Sequence, residues 1–142
     1  MSGTTTLETA MTALALTLAG TGAQVWRATD LARDVPPEGL IELREGEAHA
    51  EALLSPLAWE IDQHAEVIVT VTAADEPTRD AALDAMLRQI GALIVADRTL
   101  GGAIDWAEPL PPEYMPAEID GAGKSARVSI VLSFFTQNTV LS

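Results

Sequence analysis

Residues 75–102 constrain this chain more than any other stretch. Leu83, Met86, Leu87, Ile90, Leu93 and Ile94 recur there at the i, i+3, i+4, i+7 spacing of a single helical stripe, with Arg79, Asp84, Arg88 and Gln89 off it. The spacing predicts an amphipathic helix with one buried face. Asp75, Glu76, Pro77 and Thr78 mark its start, because they supply capping oxygens, a preset φ and carboxylates at the positive end of the macrodipole. Asp97 to Thr99, followed by Gly101 and Gly102, mark its end. Burying the whole stripe would contribute on the order of 10 kcal/mol. Strand-like runs at 58–73 and 127–136 flank the helix, so it is expected to pack across a sheet.

The rest of the chain supplies that sheet. At 142 residues one domain, 1–142, is expected. Thr5 and Glu8 read as a capping box, and Leu7, Met11, Leu14 and Leu18 follow at helical spacing until Gly20 and Gly22. Residues 24–28 read as a short strand with Val25 and Trp26 on opposite faces. The Pro36-Pro37 segment, 30–39, reads as loop. Residues 39–44 read as a second strand, 45–51 as a polar tip holding Gly46 and His49, and 52–55 as the returning arm, with Pro56 at an edge or bend. From Leu57 the chain alternates, with Trp59, Ile61, Gln63, Ala65, Val67, Val69 and Val71 on one face and Glu60, Asp62, His64 and Glu66 on the other. Residues 103–108 read as a short strand and 109–116 as a proline-rich excursion. Residues 117–120 and 127–136 read as a last hairpin, with Val128, Ile130, Leu132 and Phe134 inward and Ser129 and Ser133 outward. The predicted class is α+β, a mainly antiparallel sheet with two helices packed on one face.

Charge and composition narrow the function. Lys and Arg number 8 against 21 Asp and Glu, a net charge of −13, so an unspecific grip on nucleic-acid phosphates is disfavoured. The absence of cysteine excludes a disulfide framework, a thiolate zinc site and a cysteine nucleophile. No basic residue precedes the apolar stretch 7–19, which is too short to span a bilayer, so a soluble protein made in the cytosol is expected.

Chemical motifs are sparse. Gly121-Ala122-Gly123-Lys124-Ser125 suggests a phosphate loop, but Glu118 stands where that motif needs glycine and a strand follows where it needs a helix, so a hairpin turn is the better reading. His64 and Glu66 share a strand face with Asp62 and so can approach one metal ion, yet two histidines among 21 carboxylates fall beside acids by chance, so a solvated face is the better reading. For acid–base chemistry the candidates are Asp97 and Asp105, near Leu100, Ile104 and Trp106, with turn capping as the competing role for Asp97. No G-x-S-x-G elbow is present.

Ala96-Asp97-Arg98-Thr99-Leu100-Gly101-Gly102, its continuation Ile104-Asp105-Trp106, the strand 127–136, the Leu54-Ser55-Pro56-Leu57 hairpin exit and the helix start at 78–87 together carry a resemblance. The chain resembles, over nearly its whole length, the small tail terminator (tail-completion) proteins of long-tailed phages, prophages and gene transfer agents. The resemblance implies an α+β domain without catalytic residue or cofactor. It also implies assembly into a homohexameric ring that caps the tail tube, meets the head-side connector and lets DNA through without specific binding. The implied place is the head–tail joint of a virion or gene transfer agent particle, after synthesis in the bacterial cytoplasm. Under this reading Glu60, Asp62 and Glu66 are lumen or intersubunit candidates, and Asp34, Pro36, Tyr114 and Met115 are subunit-contact candidates on the two long loops. Competing readings are another connector component, such as a stopper or head-completion protein, a small acyl-transfer or hydrolytic enzyme using Asp97, Asp105 or His64, and a metal-binding module on His64.

Overall fold

A computed structural model describes residues 6–27, 39–54, 57–72, 75–114 and 123–136. Helix α1 (Leu7–Leu18) is capped by Thr6, whose hydroxyl accepts from the Thr9 amide at 3.1 Å. The expected box from Thr5 is therefore corrected. Glu8 instead accepts from the Thr12 hydroxyl and, through both oxygens, from the Arg27 guanidinium. Ala10, Met11, Leu14 and Leu18 are buried, and a 3-10 turn (Ala19–Thr21) then ends at Gly22, whose φ of +87° explains the glycine.

The strands are β1 (Gln24–Arg27), β2 (Leu40–Leu54), β3 (Leu57–Thr72), β4 (Trp106–Pro109), β5 (Glu113–Tyr114) and β6 (Gly123–Thr136). They form a sheet in the order β1-β2-β3-β6-β4, with β5 also against β6. Every pairing is antiparallel except β1 with β2, which is parallel. Helix α2 (Glu76–Ala96) lies on β3 and β6, and α1 packs against α2 and β1. The buried residues of both helices join Ile61, Ala65, Val67, Val69, Val128, Ile130, Leu132 and Phe134 in one core, so the α+β architecture expected above holds.

The stripe of α2 is narrower than its sequence implies. Leu83, Ile90 and Ile94 are buried, whereas Met86, Leu87 and Leu93 are half-buried at its margins. The larger correction concerns β2. Residues 45–51 are no polar tip, and 52–55 are no returning arm: one strand runs from Leu40 to Leu54 along β3, ending with Leu54 opposite Leu57. Gly46 sits in a bulge between Glu45 and Ala48, where an added Cβ would lie 3.1 Å from the His64 carbonyl oxygen and the Glu66 carboxylate. The glycine relieves a close approach within a strand, where it had been read as part of a turn. The expected strand 103–108 shortens to β4, because Ile104 closes the turn by donating its amide to the Thr99 carbonyl. The expected loop over 30–38 and the strand over 117–120 lie outside the described residues, as do Asp34, Pro36 and Met115.

Candidate functional site

Helices cover one face of the sheet; among the described residues no helix lies on the other. Period-two alternation delivers specific side chains to that open face. From β3 it receives Glu60, Asp62, His64 and Glu66, with Phe135, Ser133, Val131 and Ser129 of β6 opposite them in that order and Arg127 one step on, opposite Ile68. On the other flank β2 places His49 opposite Asp62 and Glu51 opposite Glu60. The three carboxylates singled out in the sequence thus do share one surface.

Their surroundings differ. Asp62 is half-buried and accepts a 2.7 Å bond from the Ser133 hydroxyl. Glu66 lies 3.5 Å from Arg127, whose guanidinium also grips Glu113 at 2.7 Å. This pairing, with Glu113 foremost and Glu66 second, raises the Arg127 pKa above its ordinary value. Glu60 is exposed and faces a second carboxylate, Glu51, directly across the ladder. Like charges so placed repel. Among the described residues neither Glu51 nor Glu60 has a cation within ion-pair distance.

Nearer the bulge, Glu47, His64, Glu66, Leu110, Pro111, Glu113, Arg127 and Ser129 line a shallow cleft of about 370 Å3. His64 shares a 3.0 Å hydrogen bond with the Ser129 hydroxyl through Nδ1. The metal reading needed Asp62, His64 and Glu66 to converge. Each has a separate partner, and among the described residues no three His, Asp or Glu side chains are placed to hold an ion. The acid–base reading needed an apolar pocket, but Asp97 and Asp105 are both exposed. Asp97 has the capping role, accepting from the Gly101 amide at 2.8 Å and the Thr99 hydroxyl at 3.1 Å. Lys124 of the glycine-rich segment lies in β6, ion-paired with Asp80, and the neighbouring Ser125 hydroxyl bonds Thr70 at 2.9 Å.

Tyr114, the described member of the subunit-contact set, is 56% exposed on β5. Trp106 and Leu110, also exposed, lie along the same edge of the sheet, where β4 and β5 border β6. Trp106 pairs with Ser133 on the open face, whereas Tyr114 pairs with Ala126 on the helix face. Sequence reasoning named Trp106 only as a neighbour of Asp105 and in the resemblance, not as a contact residue. It passed over Leu110, although that residue stands between Pro109 and Pro111, and prolines hold such a side chain outward at low entropic cost. Trp106 is further fixed by the Arg98 guanidinium, 4.6 Å from its ring centre, and by donating Nε1–H to Glu108 at 3.0 Å. Trp106 and Leu110 thus give the border a partly rigid apolar rim beside the acidic face, and Tyr114 extends the same edge toward the helix side. Neither a protein-family model nor a curated protein matches the chain.

Proposed function

We propose that this chain is a structural protein that terminates a phage-type tail tube. It self-associates as a ring, meets the tube on one side and the head-side connector on the other, and leaves a passage for DNA. The observation that carries the proposal is the division of surfaces. An uncovered sheet face bears Glu51, Glu60, Asp62 and Glu66, while the β4–β5 border bears exposed Trp106, Leu110 and Tyr114. An acidic wall repels phosphate and keeps a passing genome from sticking. Exposed aromatic and aliphatic side chains on a stiff border are the kind of surface that a neighbouring subunit buries. Copies joined head to tail by two different borders close into a ring when the rotation permits. The resemblance to tail terminators supports the same reading.

The test is localisation by antibody–gold electron microscopy of particles released from producing cells. Label at the head–tail joint is the expected result. Co-purification with the tube protein, rather than the portal-side protein, then separates a terminator from a stopper or head-completion layer. Unlabelled particles, with the protein free in the cell, would sink the proposal.

A further inference from the structure

Strand β2 is longer than the strand that covers it. β1 pairs only with Leu40, Ile41, Glu42 and Leu43, and among the described residues nothing pairs with the outer edge of β2 from 44 to 54. The first part of that edge is broken by the bulge between Glu45 and Ala48. Beyond it, residues 48–54 form a regular ladder with β3, from Ala48 opposite Gln63 to Leu54 opposite Leu57. A regular strand with one free edge offers a row of backbone N–H and C=O groups to any extended chain of suitable side chains.

The flanking side chains define what is suitable. Ala48, Ala50 and Ala52 point to the helix side of the sheet yet are exposed, although they stand opposite Gln63 and Ile61, which are buried, and Trp59, which is half-buried. On the other side, His49 and Glu51 are exposed, with Glu60 across the ladder from Glu51. A second copy of this chain, pairing edge to edge, would bring another Glu51 beside a carboxylate pair that already repels. An incoming strand with apolar side chains over the alanines and Lys or Arg beside Glu51 would instead offset the repulsion between Glu51 and Glu60. The geometry points to residues 48–54 of β2 as a docking edge for an extended, basic segment of a different protein, added to the sheet as a further strand. The inference does not rest on the tail role, because its test is a peptide titration that the fate of particles cannot influence.

The probe is a short peptide of alternating lysine and valine, titrated into the full chain and followed by amide hydrogen exchange and backbone NMR shifts. Protection confined to 48–54 is expected, together with weakening as salt is raised. Glu51→Lys, which removes a repulsion and so leaves the fold intact, should lower the affinity about tenfold. A peptide N-methylated at alternate amides along its pairing edge should give no protection. Equal binding by the N-methylated peptide, or by an alternating glutamate–valine peptide, would overturn the inference. So would protection, before any peptide is added, of the alternate amides of 48–54 that point away from β3, whether constant or growing with protein concentration, since the edge would then already be occupied.

Discussion

Gln63 shows how a single side chain fixes the course of two strands. It is 2% exposed on the core side of β3, and its Nε2 donates to the Gly46 carbonyl at 3.0 Å and the His64 carbonyl at 2.9 Å. Those bonds satisfy the carbonyl that the β2 bulge withdraws from the ladder. Gln63→Leu keeps the volume but removes the donor, so it should cost about 1–3 kcal/mol, measured by urea unfolding. An unchanged midpoint would mean that water replaces the amide at no cost. Alternation alone puts Gln63 among inward residues. Its role could not be read there, because the partner lies 17 positions away across a bulge that no local signal announces. Glu8 is the second case. Arg27 first, and Thr12 after it, hold its carboxyl below the ordinary carboxylate pKa. A depressed pKa in the folded state adds stability above the unfolded-state pKa and loses it as pH falls through the folded value. Glu8→Gln should therefore flatten the acid limb of the stability–pH curve below about pH 4.5 and leave its shape near neutrality unchanged. An acid limb as steep as that of the parent would show that the Arg27 pair contributes nothing.

At the scale of elements, α2 is legible from both ends because its signals are local. Asp75 accepts from the Thr78 amide at 3.1 Å, Pro77 sits in the first turn, and Asp97 closes the far end. The same bond and the Thr78 hydroxyl, the larger influence, lower the Asp75 pKa, so this cap too weakens in acid. Asp75→Ala should lower the urea-unfolding midpoint at neutral pH, by less than a truncation in the buried stripe does. Ile90→Ala, at the buried centre of the stripe, should cost about 2–5 kcal/mol. If thermal or urea unfolding ranked the cap above Ile90, α2 would be held by its end rather than by its packing on β3 and β6. Strand β3 is legible for the same local reason, since Ile61, Ala65, Val67 and Val69 alternate with polar residues and are buried as that alternation requires. Strand β2 is not. Its outer half reads Glu47-Ala48-His49-Ala50-Glu51-Ala52, is solvated on both faces and follows Gly46, so neither burial nor propensity marks it as a strand. Its identity comes from the ladder with β3, which is a tertiary fact. The candidate site divides in the same way. Alternation along one strand puts Glu60, Asp62 and Glu66 on a common face, whereas the Arg127 clamp and the Trp106–Arg98 contact join distant segments.

At the scale of the whole molecule, six cations of the described residues are already committed. Arg27, Arg44, Arg88, Arg98, Lys124 and Arg127 each pair with a carboxylate of the same chain, which leaves the net charge of −13 to act as a field rather than through local contacts. In the proposed ring, copies brought together would repel through that field, and the proposed apolar contact would have to overcome the repulsion. Salt shortens the range of the field from about 30 Å at 0.01 M to about 8 Å at 0.15 M, while apolar burial is not weakened. Self-association should therefore strengthen as salt is raised over this range. Tyr114→Ser should weaken it at every salt concentration while shifting monomer stability by no more than about 0.5 kcal/mol, because the ring is exposed in the single chain. Sedimentation velocity across a salt series, on parent and variant, separates the contributions. Association that falls as salt rises would assign the contact to ion pairs between subunits and remove the apolar border from the argument. Association that rises with salt but ignores Tyr114 would keep the field argument and move the contact elsewhere on the surface. The loss of self-association in Tyr114→Ser alone, with salt acting as predicted on the parent, is the result that joins the acidic face and the apolar border into one assembly mechanism.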